Sequence, residues 1–313
     1  MGYKLVGISI VFFLEVLFSF SPDSGFFTES HGARSAAIGG IRSLDEDGSN
    51  PKRLYSLQSP YISFGIGDLY SGLARTNYVS SFVYKNDIPF YWGVFTRSVS
   101  NIPDTRNAWL DDGNSLPEAS EINYLNISMV HQREIGIKVA ATKSWNKLYI
   151  STVIKPHFMN LADYERYGFS IDLNGSFQLK KYTTLLGKVE NIIGGYVWDS
   201  GKSESNTPRV VLGSLFQYGR FTLAGETSSH IPSDEWIYHS VGTEIFLQPN
   251  LIIRVGKNNR TRFTAGLGIR LPLIQVDYAF IQPEEKLPFE ASQFFTLSFF
   301  TKELRRIKGK VAP

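Results

Sequence analysis

Apolar and polar side chains alternate in short runs from Tyr61 to Phe300, and this period of two dominates the 313-residue chain. Clear examples are the runs 62–67, 134–142 and 263–270. Successive side chains of a β-strand point to opposite faces of the sheet, so each run has one apolar face and one polar face. About fifteen such runs are separated by turn-forming residues, and no convincing amphipathic helix intervenes after residue 60. The pattern predicts an all-β chain and excludes βαβ folds.

Two all-β architectures satisfy this pattern. A soluble sandwich or barrel turns the apolar face inward, whereas a membrane barrel turns it toward lipid and lines its lumen with the polar face. The polar faces of the runs carry many charged residues, Glu190 and Arg254 among them, which favours the membrane barrel. We therefore expect six charged residues to line the lumen: Glu134, Lys138, Asp172, Arg262, Arg270 and Asp277.

Aromatic residues cluster near the ends of the runs, as interfacial girdles do in outer-membrane barrels. They are Tyr91, Trp92, Trp145, Tyr149, Trp198, Trp236 and Tyr238. The predicted fold is an all-β transmembrane antiparallel barrel, with outer-membrane lipid as its partner. A soluble secreted β-protein is the alternative, with the same aromatics in its core.

The N-terminus carries the pattern of a secretory signal peptide. Lys4 precedes an apolar run from Leu5 to Phe20, which Glu15 interrupts. A basic residue before a short apolar run is typical of such peptides. We predict a signal peptide over residues 1–25 and export to the bacterial outer membrane. A membrane anchor is the alternative, although a spanning helix needs about 20 apolar residues.

Composition excludes several functions. The chain has no cysteine, so thiol catalysis and cysteine-ligated zinc are ruled out. A net charge of only +3 gives no support for binding nucleic acid. No nucleophile-elbow motif occurs, and the five histidines show no metal-binding spacing. Gly65-Ile-Gly67 and Gly266-Leu-Gly268 have no helix after them, so they indicate close packing inside a barrel rather than a phosphate loop. We expect a protein that is not an enzyme.

The segment before the first strand reads Gly32-Ala-Arg-Ser-Ala-Ala-Ile-Gly-Gly40, and Asp45, Asp47 and Asn50-Pro51 follow it. This pattern resembles the N-terminal signature of the PorV/PorQ family of bacterial outer-membrane proteins. In that family a G-A-R-x-A-A-x-G-G segment precedes an acidic stretch and an Asn-Pro turn. Lys52 and Arg53 stand where the family usually has Ala-Gly. The residues that match are Gly32, Ala33, Arg34, Ala36, Ala37, Gly39, Gly40, Asp45, Asp47, Asn50, Pro51 and Leu54.

This resemblance implies a FadL-like barrel of 14 strands with the N-terminal segment in or beside the lumen. An even strand number also agrees with bacterial single-chain barrels. It implies a role in type IX protein secretion or as a membrane scaffold, with secretion-system proteins or exported cargo as partners. A FadL-like channel for hydrophobic small molecules is the alternative.

The expected domain division places a plug-like segment at residues 26–58, the barrel at 59–301 and a basic tail at 302–313. Small and polar residues over 31–54 are unsuited to hydrocarbon, so this stretch belongs in the lumen or the periplasm. The resemblance favours the lumen, where we expect Arg34 to pair with a wall carboxylate such as Asp172 or Asp277.

An acidic stretch after the third predicted strand is the candidate cation site. Carboxylate and amide oxygens are the ligands that calcium prefers, although their spacing does not fit an EF-hand. A solvated acidic loop is the alternative. The candidate calcium ligands are Asp111, Asp112, Asn114, Glu118 and Glu121.

Overall fold

A computed structural model describes residues 20–21, 26–27, 31–57, 60–86, 88–108, 121–231, 237–285 and 289–300. Most of the predicted signal peptide and the whole basic tail lie outside these residues. None of the helices in the described part of the chain has the length and apolar character needed to cross a membrane.

Fourteen antiparallel strands form one closed barrel, which confirms the predicted fold class. Each strand pairs with its neighbours along the chain, and the last strand pairs with the first. The strands are β1 (Tyr61–Leu69), β2 (Ala74–Lys85), β3 (Ile88–Asp104), β4 (Ser128–Trp145), β5 (Leu148–Leu161), β6 (Tyr164–Lys180), β7 (Thr183–Trp198), β8 (Arg209–Tyr218), β9 (Phe221–His230), β10 (Tyr238–Gln248), β11 (Leu251–Asn258), β12 (Thr261–Arg270), β13 (Ile274–Pro283) and β14 (Ser292–Phe300). Two short strands extend the sheet beside the C-terminal part of β7. Ser203–Asn206 pairs with β7, and Phe20–Ser21 pairs with Ser203–Asn206.

The apolar side chains of the barrel wall lie mainly on its outer surface, which is the reverse of their distribution in a soluble protein. On β1, Phe64 and Ile66 point outward and are 47% and 58% exposed, whereas Ser63 points inward and is 5% exposed. The period of two gives every strand one outward and one inward face. The outer surface is mainly an apolar belt, whereas the interior carries most of the buried charges of the wall together with some buried apolar side chains, such as Phe82 and Leu186.

The two ends of the barrel differ in the length of their connections. At the end where β1 begins and β14 finishes, here called the turn end, strands are joined at 86–87, 146–147, 181–182, 219–220, 249–250 and 271–273. The opposite end, the loop end, carries the long connections 105–127, 199–208, 231–237 and 284–291. Outer-membrane barrels show the same asymmetry.

Residues 31–57 fold inside the barrel and are called the plug. It contains α1 (Ala33–Ala36), a 3₁₀ turn (Arg42–Leu44) and α2 (Pro51–Ser56). The side chain of Asn50 caps α2 by accepting the backbone N–H of Arg53 at 3.2 Å, and Pro51 occupies the first helical turn. Apolar plug residues are almost fully buried against the wall: Ala33, Ala36, Ala37, Ile38, Ile41, Leu44 and Leu54.

Glycines of the wall let the plug backbone approach closely. A Cβ added at Gly256 on β11 would lie 2.3 Å from the carbonyl carbon of Ile38, and one at Gly242 on β10 would lie 2.6 Å from the Ile38 oxygen. Gly39 follows with φ +79°, a conformation that favours glycine. Thr264 then fixes this stretch, since its hydroxyl donates to the Ala37 carbonyl at 2.9 Å and accepts the Gly39 N–H at 2.8 Å.

We expect Gly256→Ala to displace the plug while the barrel stays closed. The new methyl group would overlap backbone atoms of the plug, which cannot move aside as a flexible side chain can. Limited trypsin digestion of the folded barrel in detergent should then cut after Arg42, Lys52 or Arg53 in the variant and much less in the parent. Gly187→Ala is the matched control, because a Cβ at Gly187 on β7 meets nothing within 4 Å. Equal cleavage of the two variants would contradict the prediction.

Candidate functional site: the plug and the two cavities beside it

Four of the predicted lining residues lie inside the barrel and are almost fully buried. They are Glu134 and Lys138 on β4, Asp172 on β6 and Asp277 on β13. Each has a partner of opposite charge: Arg97–Glu134 at 2.6 Å, Lys138–Asp47 at 2.6 Å, Lys155–Asp172 at 2.8 Å and Arg254–Asp277 at 2.7 Å. Pairing of this kind is required, because an unpaired charge buried in a protein is strongly destabilising.

The two predicted arginines of β12 lie in different places. Arg270 borders the cavity at the turn end, with its guanidinium 5.5 Å from the ring centre of Phe300. Arg262, in contrast, sits at an irregularity of the β12–β13 ladder, is 60% exposed and pairs with Glu285 at the loop end. The expectation that Arg262 lines the lumen was wrong, because the irregularity breaks the alternation of faces at that point.

Arg34 of the plug binds Glu244 of β10 through two hydrogen bonds of 2.6 and 2.9 Å. The partner is thus a wall carboxylate, but it is neither of the two examples named from the sequence, Asp172 and Asp277. Glu244 also accepts from Arg254 at 2.7 Å, and Arg254 in turn binds Asp277. This chain of charges joins the plug to three strands of the wall.

The acidic turn of the plug meets a lysine of the wall. Asp47 accepts from Lys138 of β4 at 2.6 Å, and Gly48 follows with its carbonyl bound by Ser151 and Asn174. Burial acts to raise the pKa of Asp47, but the charges of Lys138 and Arg42 outweigh it and hold the pKa below its usual value.

Asp45 titrates differently from its neighbour. Burial, followed by the negative charge of Asp47, raises the pKa of Asp45 to about 7, although Ser35, Lys138 and Arg42 act in the opposite direction. Burial and the positive charges of Lys138, Arg42 and Arg97 lower the pKa of His31 well below its ordinary value. His31 is therefore neutral near pH 7 and adds no charge to this turn.

Arg42 binds the wall at the point where β7 leaves β8. Its guanidinium pairs with Glu190 and also donates to the carbonyl of Phe27. Glu190 is the last residue of β7 in register with β8, and Arg209 of β8 pairs with the same carboxylate at 3.3 Å. Beyond it the β6–β7 ladder is interrupted, and the backbone of Asn191 donates to Asp172 at 2.9 Å.

Two cavities lie beside the plug, one toward each end of the barrel. The turn-end cavity has a volume of about 380 Å³ and is bordered by the acidic turn of the plug, Arg270 and Phe300. The loop-end cavity has a volume of about 520 Å³. One side of it is apolar, formed by Leu69, Tyr70, Ile281, Phe289 and Phe294, and the other side is charged, formed by Arg42, Lys188, Arg209, Glu226 and Arg260.

Sequence reasoning missed several groups that hold the plug. Glu244 and the pair Lys188–Glu226 (2.9 Å) face inward, as their positions in the alternating runs would have indicated. Phe26 and Phe27 gave no comparable signal, because they precede the strands. Their rings pack against His157, with centroid distances of 5.1 and 5.8 Å.

The candidate calcium site is only partly described. Asp111, Asp112, Asn114 and Glu118 lie outside the described residues, and Glu121 is half-buried at the end of the connection. The carboxylate of Asp104 accepts a hydrogen bond of 2.7 Å from Arg106. The described residues contain no group of three histidine, aspartate or glutamate side chains suited to a metal. Calcium binding stays a prediction.

The fold is similar to that of solved outer-membrane transporters. TodX, a toluene transporter of Pseudomonas putida, aligns with a TM-score of 0.60 and 11% identity over 87% of this chain and 98% of that chain. TbuX, a toluene transporter of Ralstonia pickettii, aligns with a TM-score of 0.58 and 10% identity over 88% of this chain and 99% of that one. A FadL homologue of Pseudomonas aeruginosa aligns with a TM-score of 0.49 and 9% identity over 90% and 98% of the two chains.

No protein-family model matches the chain, and no curated protein matches its sequence. The likeness to TodX and TbuX confirms the fold, a closed antiparallel barrel of 14 strands. Membership of the PorV/PorQ family stays a prediction.

Replacing Asp45 by asparagine should stabilise the protein at pH 8 and leave it unchanged near pH 4. The folded-state pKa of about 7 exceeds the ordinary value of 3.8, so this group costs stability progressively as pH rises from about 4 to about 7. Asparagine removes that cost, which should amount to at least about 1 kcal/mol at pH 8. Thermal unfolding in detergent at both pH values measures the effect. The control is Asp163→Asn, whose carboxylate is 84% exposed; an equal gain in both variants would refute the assignment.

Proposed function

We propose that this chain is an outer-membrane channel for hydrophobic small molecules. The observation that carries the proposal is the loop-end cavity, whose apolar side opens inside a plugged barrel. A ligand pocket is typically concave, mostly apolar and equipped with a few polar groups, and this cavity has that composition.

The outer surface supports insertion into a membrane. Large apolar side chains such as Leu267, Tyr278 and Phe295 are 39–51% exposed on neighbouring strands. Soluble monomers rarely expose apolar patches larger than a few hundred Å². The outward apolar belt and inward charges therefore disfavour the soluble secreted β-protein. In this orientation the turn end faces the periplasm and the loop end faces the medium, as in other bacterial barrels.

The plug restricts which solutes can pass through the lumen. Its buried apolar residues and ion pairs fill the section between the two cavities, so an open aqueous pore of the porin kind is not formed there. The apolar side of the loop-end cavity offers a hydrophobic solute a place to leave water. TodX and TbuX, which share the fold, are toluene transporters. That likeness supports the proposed solute class.

The secretion role implied by the PorV/PorQ resemblance stays a prediction, as does the absence of enzymatic activity. The described residues offer no feature that favours secretion over passage of a solute, whereas the loop-end cavity specifically favours passage.

Insertion into lipid predicts that a charge on the outer face is costly in a depth-dependent way. Leu267→Arg, near the middle of β12, should lower the free energy of unfolding by about 2–4 kcal/mol, and Phe263→Arg, on the same face near the loop end, by about 0–1 kcal/mol. Urea titration of the protein folded into phospholipid vesicles measures both values. Equal costs at the two depths would argue against a bilayer around this face.

Passage of hydrophobic solutes predicts faster uptake across an outer membrane that carries lipopolysaccharide. Cells producing the protein should take up the apolar fluorophore N-phenyl-1-naphthylamine several-fold faster than cells with an empty vector. Phe289→Asp places a charge in the cavity lining, where Phe289 packs on Tyr70 with centroids 4.7 Å apart, and should abolish most of the gain.

The control is Ile231→Asp, which changes an exposed apolar residue at the same end but outside the cavity lining. Both variants must reach the membrane in equal amounts. Uptake no faster than with the empty vector would refute the proposed function.

A further inference from the structure

One plug side chain borders both cavities. Among the described residues, Arg42 alone contributes to the lining of the loop-end cavity and of the turn-end cavity. Every other plug residue that lines a cavity lines only one; for example, Gly40 lines the loop-end cavity and Arg53 lines the turn-end cavity. Arg42 therefore lies between the two spaces.

Two contacts, one from each terminal nitrogen, hold the Arg42 guanidinium in this position. It pairs with Glu190 in the wall and donates to the carbonyl of Phe27, which lies on the N-terminal side of the plug. The next residue is held separately, because the Ser43 N–H donates to Glu226 at 3.0 Å. The backbone of the 3₁₀ turn is thus fixed independently of the Arg42 side chain.

The rest of the plug is attached elsewhere. Arg34 binds Glu244, Asp47 binds Lys138, and Thr264 binds the backbone at Ala37 and Gly39. Loss of the Arg42 guanidinium removes none of these contacts. Glu190 would also keep Arg209 as a partner, so no unpaired charge would be left behind.

We propose that the Arg42 side chain is the partition between the two cavities, and that its release from Glu190 joins them into one passage while the plug remains docked. The inference rests on the proposed function, since it names the group that regulates passage through that lumen. Gly40, with φ +80°, and the 3₁₀ turn position the side chain across the boundary.

The chain contains no cysteine, which allows a direct test with Arg42→Cys as the single thiol. The full-length variant in planar lipid bilayers should conduct ions several-fold better than the parent. Modification with 2-(trimethylammonium)ethyl methanethiosulfonate places a bulky cation back at the boundary and should reverse the gain. Methyl methanethiosulfonate, which adds only a small neutral group, should leave the gain largely intact. The thiol should react from either side of the bilayer.

Arg53→Cys is the matched control, because Arg53 is a plug arginine that borders only the turn-end cavity and pairs with Glu46 of the plug at 2.7 Å. It should conduct like the parent and react from one side. Trypsin resistance of the segment before and after residue 42 should show that the plug stays docked in both variants.

Conductance of Arg42→Cys equal to that of the parent would overturn the inference, as would an equal rise in Arg53→Cys or a gain that the cationic reagent does not reverse. Fluorophore uptake separates this result from the proposed function. If the wild type gives no uptake but the conductance switch at residue 42 is seen, the proposed solute class fails and the partition stands.

Discussion

The interior of this barrel depends on charge pairing between the plug and the wall. The wall carries carboxylates such as Glu190 and Glu244 that are 1% exposed, and burial of an unpaired charge costs several kcal/mol. Arg42 and Arg34 of the plug supply the opposite charges. The plug is therefore part of the barrel's electrostatic structure. A barrel emptied of the plug would leave Glu190 with only Arg209 and Glu244 with only Arg254 among the described residues, and water would have to replace the hydrogen bonds of the plug arginines.

Close packing adds a second constraint that acts on backbone rather than charge. The plug can place its arginines correctly only if its own backbone lies against β10 and β11, and Gly242 and Gly256 make that approach possible. Side chains at these positions would hold the plug away from the wall and lengthen the pairs that depend on it. Charge pairing and the wall glycines thus position the same segment, and each is effective only because the other is present.

The period of two predicted the strands, because alternation is a local property of a strand. The charges on the polar faces then predicted the membrane barrel, its outward apolar face and the inward position of Glu134, Lys138, Asp172 and Asp277. The period of two failed where the ladder is irregular. Arg262 changes face at an irregularity of the β12–β13 ladder. The partner of Arg34 was also beyond reach, since it depends on the height of each residue in the barrel, which follows from register and not from sequence order.

The plug does not hold equally at all of its charged contacts. A displaced Arg34 would leave Glu244 with Arg254 and Glu46 with Arg53, but its guanidinium borders only the turn-end cavity. Arg42, in contrast, lies between two cavities of about 380 and 520 Å³, each large enough to hold water molecules that could solvate a released guanidinium. Glu190 would keep Arg209. Water from both cavities can therefore solvate a released Arg42 guanidinium. A purely apolar solute can replace neither Arg42 nor Glu190 as a partner of the other. It therefore does not bind the released state more tightly than the paired state, and its binding does not drive release. Under the proposed function, opening would then arise from fluctuations of the Arg42 side chain itself, and a solute in the loop-end cavity would pass once the arginine has moved.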